Sequence, residues 1–522
     1  MNKANFRRLR IVSVATIVMG LCACTPELVN SVTAAKIDSV VEAPMVSEAF
    51  SSQPVFVSNK RVTSDCGVES IPVPAPGFAD ALGRETKQMP PPIEARQAVG
   101  AGRELLATDE DRVSPGYILV EPVTVKQSFL INNDKEVVAA IKNENYLTYT
   151  QLLPNGHRIL ERPVYSEVFN AGGGKAGCVE EQDAEGNLLW RVNLSSDQYI
   201  HHHDVVKLAN GNILALIWES EPADKAISQG RNPELVVEDG TFWYDGVIEV
   251  NPYTMQIVWE WSTKHHVIQD FDTSQPNYGV VADHPGLFDI NRVRTGPGTT
   301  GLITDWTHMN AIDYNPELDQ IALSSYYLSE ILVIDHSTTP LESIGHSGGR
   351  YGKGGDFLYR WGNPQNYKRG SEADRKLFNQ HDVQWILPGL PGEGNIMIFN
   401  NGNPDVRPYT TVIEFTPEMN SDGGYDLEDG ATYGPETLVW KYDPPIEERF
   451  FSWFISGAQR LANGNTLVNH GAGAHLREVT SSGDIVWDYS YKDEIDAPHQ
   501  IFRAYRYAPD HPGLVHLLPN AE

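Results

Sequence analysis

Phe378-Asn379-Gln380-His381-Asp382-Val383-Gln384-Trp385-Ile386 alternates from its histidine onward. Val383 and Trp385 fall on one face, and Asp382, Gln384 and Ile386 on the other. A period of two residues marks a β-strand, and a histidine at its first position stands at the mouth of the sheet. Similar segments recur along the chain, several also headed by histidine. Convergence of such strand heads would make one polar pocket, with His381 as its candidate nucleophile.

The recurrences have two forms. The first is an apolar pair, an aromatic, a polar residue and a large residue: Leu188-Leu189-Trp190-Arg191-Val192, Ile257-Val258-Trp259-Glu260-Trp261, Phe357-Leu358-Tyr359-Arg360-Trp361, Leu438-Val439-Trp440-Lys441-Tyr442 and Ile485-Val486-Trp487-Asp488-Tyr489. The second follows after a variable loop. It appears at His203-Asp204-Val205, at His308-Met309-Asn310, at His381-Asp382-Val383 and at Gly457-Ala458-Gln459-Arg460-Leu461. Tyr146 to Leu160 is an earlier copy and His499 to Tyr507 a degraded last one. Asn155-Gly156, Asn210-Gly211 and Asn463-Gly464 lie between strand-like runs, a strong hairpin signal in which both turn residues are expected at positive φ.

Six strand-rich units of unequal length predict an all-β chain, a six-bladed β-propeller preceded by a Pro-rich N-terminal arm. A β-sandwich is the alternative, but it rarely reuses one signature so often. The innermost strand of each blade lines a common channel, so His203, His308 and His381 are expected at equivalent positions around it.

The chain has 522 residues and a net charge of −29, which argues against nucleic-acid and anionic-membrane partners. Lys3, Arg7, Arg8 and Arg10 precede the apolar run Ile11 to Gly20, too short to span a bilayer comfortably, and Leu21-Cys22-Ala23-Cys24 follows. Residues 1–23 read as a lipoprotein signal peptide with Cys24 lipidated; an ordinary secretory signal is the alternative. The expected location is periplasmic, on the outer membrane, with the membrane met only through the lipid anchor. Residues 24–112, with Pro72, Pro74, Pro76 and Pro90-Pro91-Pro92, read as an N-terminal tail or arm with a short helix near Ile93 to Ala107. The propeller is expected over 113–522. Cys66 and Cys178 then remain as a candidate disulfide or as two separate thiols.

The strings Gln380-His381-Asp382, His308-Met309-Asn310, Gly457-Ala458-Gln459-Arg460-Leu461 and Tyr359-Arg360-Trp361-Gly362-Asn363-Pro364 together resemble the bacterial aryl-sulfate sulfotransferases over about Gly116 to Tyr507. The resemblance implies a six-bladed periplasmic propeller that moves a sulfuryl group from a phenolic sulfate donor to a phenolic acceptor without a nucleotide sulfate and without a cofactor. It implies His381 as the residue that becomes sulfated, His203 and His308 as supporting histidines, and Asn310 as a substrate-binding amide. A homodimer is an assembly to test. One departure stands out: the arginine that relatives carry after the Ser-Ser strand is replaced, in Ser324-Ser325-Tyr326-Tyr327, by Tyr326. Tyr326 therefore takes that substrate-facing place, with Arg460 or Arg360 as substitute cations. The N-terminal region is also short for the separate β-sandwich domain of characterised members.

The residue types suit this chemistry. A neutral imidazole is a nucleophile at ordinary pH, a protonated one can donate to a leaving phenolate, and amides or cations can hold sulfuryl oxygens. Two other readings stand beside it: a non-catalytic cell-envelope propeller acting as a binding module, and an aryl sulfatase with water as acceptor. His201-His202-His203 could hold zinc, but neighbouring strand residues alternate faces, so no metal site is expected there. Gly345 to Gly355 reads as an inter-blade loop, Asp422 to Asp429 as a solvated acidic turn, and Trp306 and Trp453 as candidate walls of an aromatic pocket.

Overall fold

The computed structural model describes residues 58–67 and 111–518, apart from 124, 171–172, 238–239, 295–303 and 491–499. The expected signal peptide, Cys24, the proline-rich stretches and the short helix near Ile93 to Ala107 lie outside the described residues.

Six four-stranded antiparallel sheets form a β-propeller. Blade 1 begins with Tyr149–Leu152, blade 2 with Tyr199–Lys207, blade 3 with Met309–Asn315, blade 4 with His381–Trp385 and blade 5 with Gly457–Arg460. Blade 6 takes its first strand from the end of the chain: Tyr505–Tyr507 pairs with Tyr117–Val120, which pairs on to Gln127–Ile131 and Val137–Lys142. Pairing Tyr505–Tyr507 with Tyr117–Val120 within one sheet closes the ring of blades.

The five tryptophan- or tyrosine-bearing repeats are the fourth strands of blades 1 to 5. Their rings fill the cores: Trp190, Trp259, Trp261, Trp361 and Trp487 are all buried. The second repeat form supplies the first strands, whose outer backbone edge must be satisfied by the next blade. Asp204 accepts from the Ile312 amide at 2.9 Å, Asp313 from Trp385 at 2.7 Å and Asp382 from Ala458 at 2.8 Å. Gln459 donates to the Arg506 carbonyl at 3.0 Å, and the Leu152 amide donates to the Tyr507 hydroxyl at 3.1 Å. These bonds run from blade to blade around the channel.

Two local expectations are corrected. The Asn-Gly turns are not two-residue turns with both residues at positive φ. Gly211 has φ +88°, but Asn210 is not left-handed; Leu208 N–H bonds to the Asn212 carbonyl and Gly211 N–H to the Leu208 carbonyl. This is a three-residue loop closed by a left-handed glycine, and Asn210 stays right-handed because its side-chain oxygen accepts from the Asn212 amide at 2.9 Å. Second, Gly345 to Gly355 is not an inter-blade loop: it joins the third and fourth strands of blade 3, Glu330–Asp335 and Tyr359–Trp361.

Cys66 and Cys178 form a disulfide. It fastens residues 58–67 to the third strand of blade 1, Gly177–Gln182, while Thr63 bridges Asn193 at the end of the fourth strand, Leu188–Asn193. Lys60 adds ion pairs with Glu260 at 2.7 Å and Glu219 at 3.2 Å.

Candidate active site

The alternation that flagged His381 breaks at its head. The ladder shifts register between His381 and Gln384, and Asp382 is left-handed at φ +57°. The first strands of blades 2 and 3 are bulged at the same end, with His203 at φ +60° and His308 at φ +47°. The three histidines are therefore not in strictly equivalent register. Asp204, Asn310 and Asp382 all reach the next blade's first-strand segment, and His203 and His381 precede theirs by one residue, His308 by two. Left-handed backbone at the bulges re-aims the rings, which bulges do near active sites.

The rings meet all the same. His203 lies edge-on to His308 with ring centres 4.7 Å apart, and Tyr326 stands between His308 at 5.5 Å and His381 at 5.3 Å. All four are buried, His308 being the most exposed histidine of the three at 8%.

Each imidazole is held differently. Asn401 donates its side-chain N–H groups to the carbonyls of Ser452 and Ile455, which turns its oxygen toward His381 Nδ1 at 2.9 Å. Nδ1 of His381 must then carry the hydrogen, leaving Nε2 as the lone-pair nitrogen. That Nε2 accepts from the backbone N–H of Ile455 at 3.1 Å. Burial, with the positive charge of His308 and Arg503 nearby, pushes the His381 pKa down to about 3, so the ring is neutral at ordinary pH. His203 is likewise held well below the usual imidazole range, by burial first and then by His308, His202 and His381; its Nδ1 lies 2.8 Å from Nδ1 of His202. His308 differs: its Nδ1 lies 2.5 Å from the Asp305 carboxylate, and its Nε2 has no hydrogen bond to a described residue.

Two guanidinium groups flank the cluster. Arg503 bridges Asp204 at 2.8 Å and Asp382 at 2.9 Å, tying blades 2 and 4 to the segment entering the first strand of blade 6. It is close enough to depress both His203 and His381, and its Nη2 is buried without a hydrogen-bond partner among the described residues. Burial lifts the Asp382 carboxyl to about 6 even against Arg503. Arg294 lies 5.2 Å from the centre of the Tyr327 ring, which in turn packs 4.8 Å from His308.

Several expectations need correcting. Arg460 does not reach the histidines: it pairs with Glu414 and stacks over Trp440 between blades 4 and 5. Arg360 is committed to Glu330 at 2.6 Å. Asn310 donates to the Gln380 carbonyl at 2.8 Å, and its side-chain oxygen has no partner among the described residues. Tyr326 donates its hydroxyl to the Trp453 carbonyl at 2.9 Å. Trp306 packs in a blade core against Phe242 and Phe288. Trp453 meets Tyr326 through its carbonyl, and the rings packed against the histidines include Trp218, stacked on His202 at 4.0 Å and 5.8 Å from His203, and Phe502 at 6.1 Å from His203. His201 turns away to Glu161 and the Leu216 carbonyl, so the three consecutive histidines do not converge on a metal.

A search of curated proteins found no match. Among solved structures, a Bacteroides caccae protein of unknown function is similar at 13% identity over 75% of this chain and 99% of that one, with a TM-score of 0.40. Virginiamycin B lyase from Staphylococcus aureus is similar at 10% identity over 73% and 82%, with a TM-score of 0.33. The sequence profile of the family described as Arylsulfotransferase (ASST) matches residues 170–501, a span that holds the three histidines, Asn310, Tyr326 and Asn401. With well over half of its length matched, this chain belongs to the arylsulfotransferase family.

Proposed function

We propose that this protein transfers a sulfuryl group from a phenolic sulfate to a phenol in two steps, through a sulfated His381 and without a nucleotide donor. The observation that carries the reading is the fixed tautomer of His381, neutral and with its lone pair on Nε2, in a ring that packs on Tyr326 beside His308. In the first step Nε2 attacks sulfur and the bond from sulfur to the phenolic oxygen breaks. His308, held at Nδ1 by Asp305, acts as the general acid that gives a proton to the departing phenolate. In the second step His308 takes the acceptor's proton, the phenolate attacks sulfur, and the bond from sulfur to Nε2 breaks. The Ile455 N–H, released from Nε2 as the new bond forms, is placed to donate to a sulfuryl oxygen. Arg503, with its unpaired Nη2, supplies the positive charge that the arginine replaced by Tyr326 would supply in relatives.

A second reading has an observation of its own. The Ile455 amide occupies the lone pair that a nucleophile needs, and Tyr326 stands where relatives keep a cation, both of which suit a propeller that binds and does not react. Incubation with 4-nitrophenyl sulfate, with and without phenol, separates the readings. Phenol-dependent release of nitrophenol, with one sulfuryl adduct mapped to His381 and both lost in His381→Ala, is the expected result. Release that ignores phenol identifies a sulfatase, and no release with no adduct across several donors overturns the catalytic proposal.

The protein is placed by this reading in the periplasm, anchored to the outer membrane through Cys24. Incorporation of labelled fatty acid that is abolished in Cys24→Ala tests it.

A further inference from the structure

The glycine-rich loop of blade 3 carries a second cluster of histidines, away from the channel. His266 follows the fourth strand of blade 2, while His346 and Asp356 lie in the loop. One ligand atom from each lies within 4.8 Å of the others. His266 is fully buried and stacked on Trp261 with ring centres 5.6 Å apart; the His346 side chain is 60% exposed.

Hydrogen bookkeeping makes this cluster unusual. His266 Nε2 lies 2.9 Å from the Ser343 carbonyl oxygen, which can only accept, so that nitrogen carries a hydrogen. In the neutral ring Nδ1 is then a bare lone pair, yet it faces Asp356 Oδ1 at 2.8 Å. The same Oδ1 lies 2.7 Å from Nδ1 of His346. A histidine whose far nitrogen is held by a backbone carbonyl is the usual arrangement for a metal-ligating imidazole. Two imidazole nitrogens and one carboxylate oxygen are a donor set for zinc and its neighbours, and an exposed side leaves room for a water. Around zinc the ligand atoms stand about 3.3 Å apart, from bond lengths of about 2.0–2.2 Å, so the two contacts to Asp356 need open only by about half an ångström.

We infer that His266, His346 and Asp356 bind one divalent transition-metal ion, zinc by its donor set. The ion fastens the glycine-rich loop of blade 3 to the end of blade 2. Asp356 also borders a cleft of about 490 Å³ in which Asp283, Asp426, Glu428 and Asp429 outnumber Lys353 and Arg369, a net negative lining that favours cations near the site. This joint is distinct from the sulfuryl-transfer residues and does not depend on the mechanism proposed for them.

The test uses the full protein, stripped with a chelator and then reconstituted with zinc or cobalt. One equivalent of metal by elemental analysis is expected, with the intense visible absorption of low-coordinate cobalt and a higher Tm than the stripped protein. His346→Gln, at an exposed position that does not threaten folding, is expected to weaken binding at least tenfold and to abolish the zinc-dependent rise in Tm. Asp356→Asn should do the same. No stoichiometric uptake, or uptake equal in wild type and His346→Gln, overturns the inference.

Discussion

Asn401 fixes the tautomer of His381: its side-chain oxygen, 2.9 Å from Nδ1, faces that nitrogen because both amide hydrogens go to the carbonyls of Ser452 and Ile455. An oxygen without charge orients the ring and leaves it neutral, where a carboxylate in its place would favour the imidazolium. With its pKa at about 3, wild-type His381 should contribute no acid limb to kcat/KM above about pH 4. Asn401→Asp should introduce one, with activity falling as pH drops through neutrality and recovering on the alkaline side. A pH profile of both proteins checks this. An Asn401→Asp profile that is lower but unchanged in shape would reduce Asn401 to a packing residue.

The bond between His308 and Asp305 predicts a leaving-group effect. Asp305→Asn removes the carboxylate that holds His308 Nδ1, so the proton delivery assigned to His308 is impaired. Transfer from phenyl sulfate should slow by about 10²–10⁴-fold, while 4-nitrophenyl sulfate, whose phenolate leaves without help, should slow far less. Equal slowing of both donors would remove His308 from the proton-transfer role.

Arg503 holds Asp204 and Asp382 across the channel. Arg503→Gln leaves two buried carboxylates without their shared cation and is expected to cost about 3–5 kcal/mol of stability. Arg503→Lys keeps the charge but not the fork that serves both acids and a third acceptor. It should retain most of the stability while lowering kcat. Thermal unfolding read beside steady-state kinetics separates the two effects, and a lysine variant with full kcat would exclude a role for Nη2 in transfer.

Away from the channel, His336 sits between Asp319 at 2.7 Å and Glu249 at 3.0 Å, joining blades 2 and 3. Its hydrogen bonds and charge pairing with these acids outweigh burial and raise its pKa to about 9. A raised pKa contributes stability that is fully present below the unfolded value near 6.5 and is lost as pH rises through 9. His336→Gln should therefore destabilise the protein by on the order of 2–3 kcal/mol at pH 6 and by much less at pH 10. Denaturant midpoints at the two pH values test this, and an equal loss at both would point to packing alone.

Much of the architecture was legible along the chain. Five copies of an aromatic fourth strand marked the blades, because each blade must fill the same wedge of core and so reuses the same ring. The Asn-Gly turns marked the hairpins even though their geometry was misjudged, since Asn and Gly suit several turn types and only the backbone chooses among them. His203, His308 and His381 were legible as strand heads. Their shared register was not, because a bulge adds a residue on one strand without leaving a mark in composition. Asn401 and Trp218 were missed because each meets its histidine from the neighbouring strand side of the blade, and Asp305, three residues before His308, because it lies outside the strand pattern in the loop leading to it.

The sequence by itself determined an all-β repeat of six units with histidines at the heads of several strands, because strand periodicity and core filling are local properties. Only the tertiary structure decided which groups face His381. The Ile455 amide is a backbone group, invisible to any reading of side chains, and Arg503 belongs to the degraded last repeat that closes blade 6 with the start of the chain. The replacement of Arg460 by Arg503 as the candidate cation follows from that closure. A residue's place around a channel depends on how the ring is joined, which no single segment encodes.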